Sequence, residues 1–102
     1  MNKTLATWIA IGAAVIALTV ADQAKANDAC ENMATLAGLV MESRQKGVPM
    51  VKAYNAAGGN NVIQDMVVLA YEMPRFNTAS IKERAIKEYA NKWFLSCIKS
   101  MK

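Results

Sequence analysis

The chain has 102 residues, 54% of them hydrophobic, and its 12 basic and 8 acidic side chains give a net charge of +4. This excess is too small to predict nucleic acid or a membrane surface as a partner. Histidine is absent, so the commonest general base near neutral pH and the commonest metal ligand are both missing.

The first 26 residues have the order of a secretory signal. Lys3 precedes an apolar stretch over residues 5–21, and Ala24-Lys25-Ala26 matches the A-x-A pattern of a cleavage site. Residues 1–26 are therefore predicted to be a cleaved signal peptide. Residues 27–102 would form one α-helical domain, with 10 basic and 7 acidic residues and a net charge of +3.

Two other interpretations of this segment are weaker. A retained membrane anchor would have roughly 17 apolar residues, at the lower limit for a bilayer span. Lipid attachment at Cys30 would need an apolar box before the cysteine, whereas Asn27 and Asp28 stand close before it. We therefore expect no stable membrane anchor after cleavage.

The next segments predict a long helix and a short one. From Asp28 to Lys46 the apolar residues recur with the 3.6-residue period of an amphipathic helix, and Gly47 is suited to end it. Pro49 then opens a short helix that ends before Gly58. The inward face of the first helix is predicted to contain Ala29, Cys30, Met33, Ala34, Leu36, Ala37, Val40 and Met41.

Two further helices are predicted after Gly59. Asn60 or Asn61 would cap a helix over residues 62–73, and Pro74 would end it. Ser80 begins an S-x-x-E capping box that predicts the start of the last helix. The predicted inward residues are Val62, Ile63, Met66, Val67, Leu69, Ala70 and Met73 in the third helix, and Ala85, Ile86, Tyr89, Ala90, Trp93, Phe94, Cys97 and Met101 in the last.

The only two cysteines lie on the inward faces of the two long helices. A redox-active pair would normally be spaced C-x-x-C, and a zinc site would need more ligands. A structural disulfide between Cys30 and Cys97 is therefore predicted, as is common in small exported domains. The expected fold is all-α, a small bundle of about four helices, two long and two short, closed by one disulfide.

No catalytic constellation stands out. S-x-x-K occurs at Ser43 and at Ser96, but the S-D-N and K-T-G elements that accompany it in penicillin-binding enzymes are absent. The acidic residues show no pairing typical of a metal or glycosidase site. We expect no enzymatic activity, no cofactor and no metal.

Two polar positions are candidates for partner binding. Arg44 projects into the apolar arc of the first helix, where its stem could pack while its guanidinium reaches out or caps carbonyls at the helix end. It could instead form a partly buried pair with a carboxylate such as Glu72, or border, with Gln45 and Lys46, a groove that receives a partner. Tyr71 projects away from the apolar arc of its helix, and an exposed tyrosine near arginine is typical of interfaces. The candidate partner-binding residues are Arg44, Gln45, Lys46, Tyr71, Glu72 and Arg75.

Four sequence elements together resemble a group of small exported proteins of bacteria and phages. They are Cys30, the R-Q-x-G segment Arg44–Gly47, the A-Y-E-x-P-R segment Ala70–Arg75 and the segment Asn91–Cys97. The resemblance covers most of residues 27–102 and implies export and a disulfide-tied helical fold, without a mechanism. As a separate hypothesis, we expect a protein partner in the cell envelope or associated with a phage.

The expected function is therefore a periplasmic or secreted, non-enzymatic protein-binding domain. The alternative is a stress chaperone that exposes apolar helix faces, because the size, single bridge and helical content are similar to those of periplasmic acid-stress chaperones.

Overall fold

The computed structural model describes residues 27–101, which contain four α-helices and no strand. Helix α1 covers residues 27–46, α2 is Met50–Ala56, α3 is Asn61–Glu72 and α4 is Ala79–Ser100. The predicted all-α fold is confirmed for this part of the chain. The predicted signal peptide, residues 1–26, lies outside the described residues.

The end of α1 has the hydrogen-bond pattern of a Schellman motif. Gly47 has a φ of +84°, and its amide donates to the Arg44 carbonyl at 3.1 Å. The Val48 amide donates to the Ser43 carbonyl at 3.0 Å. A left-handed residue after the last helical turn is the position where glycine is favoured, so the predicted stop is confirmed.

Helix α3 also begins and ends where the sequence indicates. The Asn60 side chain accepts a hydrogen bond from the Ile63 amide at 3.1 Å and caps the helix. Met73, the residue before Pro74, has a ψ of 146° and is extended, as steric conflict with the proline ring requires.

The capping box predicted at Ser80 is wrong. Helix α4 begins at Ala79, its N-cap is Thr78, and no side chain caps it. The Lys82 amide donates to the Thr78 carbonyl at 3.0 Å, which places Ser80 inside the first turn. Contacts from distant parts of the chain hold the segment just before α4, and they override the local capping signal.

The core lies where α1, α3 and α4 meet. Gly38 of α1 lies close to α4, so that a Cβ built on it would be 3.7 Å from the Ala90 Cβ. The Tyr89 hydroxyl donates to the Met66 carbonyl at 2.5 Å and joins α4 to α3. The central buried residues are Ala37, Met41, Met66, Ala70 and Tyr89.

The predicted disulfide joins Cys30 and Cys97, whose Cα atoms are 5.5 Å apart. Both cysteines are buried. The bridge connects the first turns of the described part of α1 to the last turns of α4, so the first and last of these helices are covalently tied.

The predicted apolar faces are broader than the real core. Several residues assigned to them are at least 40% exposed, because the three helices bury narrower stripes than the projected arcs. They are Leu36, Val62, Leu69, Met73 and Met101.

Candidate functional site

Gln45 is the buried polar centre of the described structure. It is only 2% exposed, although it lies in the last turn of α1 and both Lys46 and Gly47 after it are exposed. Its Nε2 donates to the Pro74 carbonyl at 3.0 Å, and its Oε1 accepts from the Phe76 amide at 2.9 Å. A buried amide with both ends bonded satisfies its own polar atoms and two backbone groups of the α3–α4 connection.

Two cations approach the Gln45 backbone carbonyl. Arg75 Nε donates to it at 3.1 Å and Lys82 Nζ at 2.7 Å. The Arg75 guanidinium also covers Gly47, since a Cβ at that position would lie 2.8 Å from the Arg75 Cζ. Carbonyls at the end of a helix carry partial negative charge, so these cations are placed favourably.

Arg44 and Tyr71 add two further hydrogen bonds between the region around the end of α1 and that around the end of α3. Arg44 Nε donates to the Met73 carbonyl at 3.0 Å, and its Cζ lies 5.2 Å from the centre of the Tyr71 ring. The Tyr71 hydroxyl donates to the Val48 carbonyl at 2.6 Å. Arg44 thus caps a carbonyl at the end of α3 and not, as the sequence suggested, at the end of its own helix.

Tyr71 is thus half-buried against the core rather than freely exposed, which corrects the expectation drawn from its helical projection. Its hydroxyl reaches the α1–α2 connection because that loop passes beside α3.

Five side chains thus bond the ends of α1 and α3 and the α3–α4 connection to one another, and we call them the Gln45 clamp. They are Arg44, Gln45, Tyr71, Arg75 and Lys82.

The other two candidate partner-binding residues lie outside the clamp. Lys46 Nζ forms an exposed ion pair with Glu42 at 2.8 Å. Glu72 is exposed, and no ion pair joins it to Arg44 within residues 27–101. The structure therefore brings together Arg44, Gln45, Tyr71 and Arg75, and leaves Lys46 and Glu72 apart from them.

A groove of about 240 Å³ runs between α4 and the α3–α4 connection. We call it the α4 groove. Its floor is apolar and its rim carries alternating charges. The residues that line it are Met73, Phe76, Ile81, Arg84, Ala85, Glu88, Tyr89 and Lys92.

The clamp holds one wall of this groove. Met73 and Phe76 both line it, and their backbone groups are bonded to Arg44 and Gln45 respectively. The segment between α3 and α4 has no helical hydrogen bonds of its own, so the clamp supplies the polar contacts that keep it in place. The sequence motifs R-Q-x-G and Y-E-x-P-R are therefore in contact, and their hydrogen bonds hold the groove wall in position from the side opposite the groove.

Burial raises the pKa of both tyrosines of the site. It raises the pKa of Tyr89 above its usual value, an effect that a hydrogen bond involving Trp93 partly offsets. Burial also raises the pKa of Tyr71, and the positive charge of Arg44 opposes this shift. Both hydroxyls therefore remain protonated donors throughout the neutral range.

Ser43 and Lys46 each contact another residue of α1. The Ser43 hydroxyl donates to the Leu39 carbonyl at 3.2 Å, and Lys46 faces Glu42. Within residues 27–101 no three cysteine or acidic side chains cluster as metal ligands would. The described helices also include none that combines the length and hydropathy of a membrane span.

The α4 groove was missed by the sequence analysis. Ile81 and Arg84 are not among the residues predicted for the inward face of the last helix, and Phe76 was assigned to no helix. A signal did exist, because Met73, Phe76 and Ile81 are three large apolar residues around a helix break.

No family model matches the chain, and no curated protein or solved structure matches it significantly.

Proposed function

We propose that this chain is a small periplasmic or secreted protein-binding domain, without enzymatic activity, whose partner belongs to the cell envelope or to a phage. The α4 groove carries the proposal. It is an apolar concavity with a charged rim, and the clamp preforms its wall. Apolar centres with polar rims are the usual anatomy of protein interfaces, and preformed surfaces lose less entropy on binding.

Export is supported by the disulfide between Cys30 and Cys97. Disulfides persist in oxidising compartments such as the periplasm or the extracellular space and are rare in the cytosol. The bridge also suits a chain of this size, since small domains bury too little apolar surface to be strongly stable without a covalent tie.

Site-specific cross-linking tests the proposal. A photoreactive residue would replace Glu88, whose side chain is 72% exposed on the groove rim, in the protein exported by its native host. We expect one dominant cross-linked protein, which Ile81→Glu removes because the new carboxylate would lie on the apolar floor.

Val51→Glu is the matched control. Val51 is 72% exposed on α2 and Ile81 is 43% exposed on α4, so both variants place a carboxylate at an exposed apolar position. Both variants should fold, as circular dichroism would check. A cross-link that survives Ile81→Glu, or that is lost equally in Val51→Glu, would contradict the assignment of the groove.

A stress chaperone is the second candidate, favoured by the wide distribution of exposed apolar side chains. Leu39 of α1, Val51 of α2, Leu69 of α3 and Leu95 of α4 are each at least 40% exposed. A chaperone would suppress aggregation of unrelated proteins on acidification and would bind a hydrophobic dye more strongly. A single groove-dependent partner with no such activity would exclude this candidate.

A further inference from the structure

The charges of this chain are divided unevenly between its two parts. Residues 27–74 contain three basic and five acidic side chains, a net charge of −2, whereas residues 75–102 contain seven basic and two acidic ones, a net charge of +5. The α4 groove therefore lies on the strongly basic part of the chain, although the protein as a whole is only mildly basic.

The basic residues of α4 are not all equally available to a partner. Lys82 is bonded to the Gln45 carbonyl, and Lys87 pairs with Glu83 at 3.3 Å. Lys92 lines the groove and takes part in no ion pair within residues 27–101.

Arg84 is the second cation of the rim. Its side chain is 77% exposed, and its contact with Glu88 is long, at 3.7 Å. Such an exposed pair contributes little free energy and is easily exchanged. Arg84 and Lys92 stand on either side of Glu88 at intervals of four residues, which leaves the rim with a net positive charge.

The size of the groove limits what fits into it. Its volume of about 240 Å³ is below the roughly 300–1,000 Å³ of pockets that enclose small-molecule ligands. A single large side chain, aromatic or aliphatic, fits such a space. Interfaces commonly concentrate their binding energy on one such anchor surrounded by polar contacts.

We infer that the α4 groove receives a partner segment with one large apolar side chain flanked by carboxylates, which face Arg84 and Lys92. This rests on the proposed function and specifies the chemistry of the partner. A second copy of this chain docked through the same face would place two basic surfaces together, which charge repulsion disfavours.

Three blocked pentapeptides probe this chemistry: Glu-Glu-Phe-Glu-Glu, Lys-Lys-Phe-Lys-Lys and Glu-Glu-Ala-Glu-Glu. Each is titrated into the protein at physiological salt while backbone amide resonances are followed by NMR. We expect the acidic phenylalanine peptide to shift the amides of Ile81, Ala85 and Tyr89, with a Kd lower than that of the other two by about fivefold or more.

A charge-reversal pair tests the rim directly. In Arg84→Glu/Lys92→Glu we expect the lysine peptide to bind more tightly than the acidic one. Lys87→Glu/Lys99→Glu has the same net charge, but neither residue lines the groove, so this control should retain the preference for the acidic peptide.

The outcomes separate this inference from the proposed function. If acidic and basic phenylalanine peptides bind equally and the rim variant changes nothing, the acidic flanks are wrong, while the cross-linking result still decides whether the groove binds a protein. Equal binding of the alanine peptide would overturn the apolar anchor. The same amide shifts produced by phosphatidylglycerol vesicles, with none from any peptide, would overturn a protein partner in favour of an anionic membrane surface.

Discussion

The Gln45 side chain and the Phe76 backbone amide, 31 residues apart in sequence, are joined by a 2.9 Å hydrogen bond. This bond and the one from Gln45 to the Pro74 carbonyl connect the end of α1 to the segment that precedes α4. Without them, two backbone groups would lose their partners next to a buried side chain.

Gln45→Met tests this connection. The variant keeps the length of the side chain but leaves the Pro74 carbonyl and the Phe76 amide without partners, so we expect a loss of about 2–4 kcal/mol in the free energy of unfolding. Urea denaturation measures the loss, and hydrogen exchange of the Phe76 amide should become faster.

Gln64→Met is the matched control for this substitution. Gln64 bonds only the exposed Gly58 carbonyl, at 2.9 Å, and its loss should cost under about 1 kcal/mol. Equal losses for the two glutamine variants would contradict the special role of Gln45.

Gly47→Ala should be destabilising for two reasons. A φ of +84° is unfavourable for alanine, by about 1–2 kcal/mol, and the new Cβ would meet the Arg75 guanidinium at 2.8 Å. Gly58→Ala provides the comparison, because Gly58 has a φ of +62° but nothing within 4 Å of its Cβ position. The excess loss in Gly47→Ala, from thermal or urea unfolding, measures the contact with Arg75.

Arg75→Ala completes a double-mutant cycle with Gly47→Ala. We expect the alanine at position 47 to cost less in the Arg75→Ala background, since the close contact is gone. Additive losses would mean that the guanidinium moves aside freely and that the two motifs are energetically independent.

Stability should fall at alkaline pH because of Tyr89. Burial raises its pKa in the folded protein, so the unfolded chain releases the proton first, above its ordinary pKa of about 10. The free energy of unfolding should therefore be unaffected by this group below that pH and decrease above it. Tyr89→Phe should reduce the slope of this decrease, measured by urea denaturation between neutral and alkaline pH.

The same variant should also be less stable at neutral pH by about 1–2 kcal/mol, because the Met66 carbonyl loses its donor. Tyr71→Phe is the comparison. We expect a smaller change in slope, since Tyr71 is less buried than Tyr89 and the positive charge of Arg44 lowers its pKa. Identical alkaline slopes for all three proteins would contradict the assignment to Tyr89.

Removal of the disulfide should cost at least as much as any of these changes. The bridge spans a sequence separation of 67 residues, and the chain-entropy relation gives roughly 4 kcal/mol for a loop of that length. Cys30→Ser/Cys97→Ser and the reduced wild-type protein should show similar, strongly lowered midpoints in urea. An unchanged midpoint in the double variant would contradict this contribution.

Features that depend on neighbouring residues could be predicted from the sequence. Gly47, Asn60 and Pro74 determine helix ends through their own backbone preferences, and the 3.6-residue period indicated the inward cysteines. Gln45 was predicted to bind a partner, and its burial was not foreseen, since glutamine is usually exposed and its two backbone partners lie 29 and 31 residues away. The start of α4 and the burial of Tyr71 were missed for the same reason: both depend on contacts between distant segments.

The tie between Cys30 and Cys97 also bears on the order of the helices along the chain. Because their Cα atoms are only 5.5 Å apart, a short linker from the end of α4 to the start of α1 would allow a circular permutant opened at the exposed Gly58-Gly59 turn. Its helices would follow the order α3, α4, α1, α2, with the α4 groove built mainly from the first half of the chain. The two cysteines would then be close in sequence, so the permuted protein would depend far less on the bridge between them.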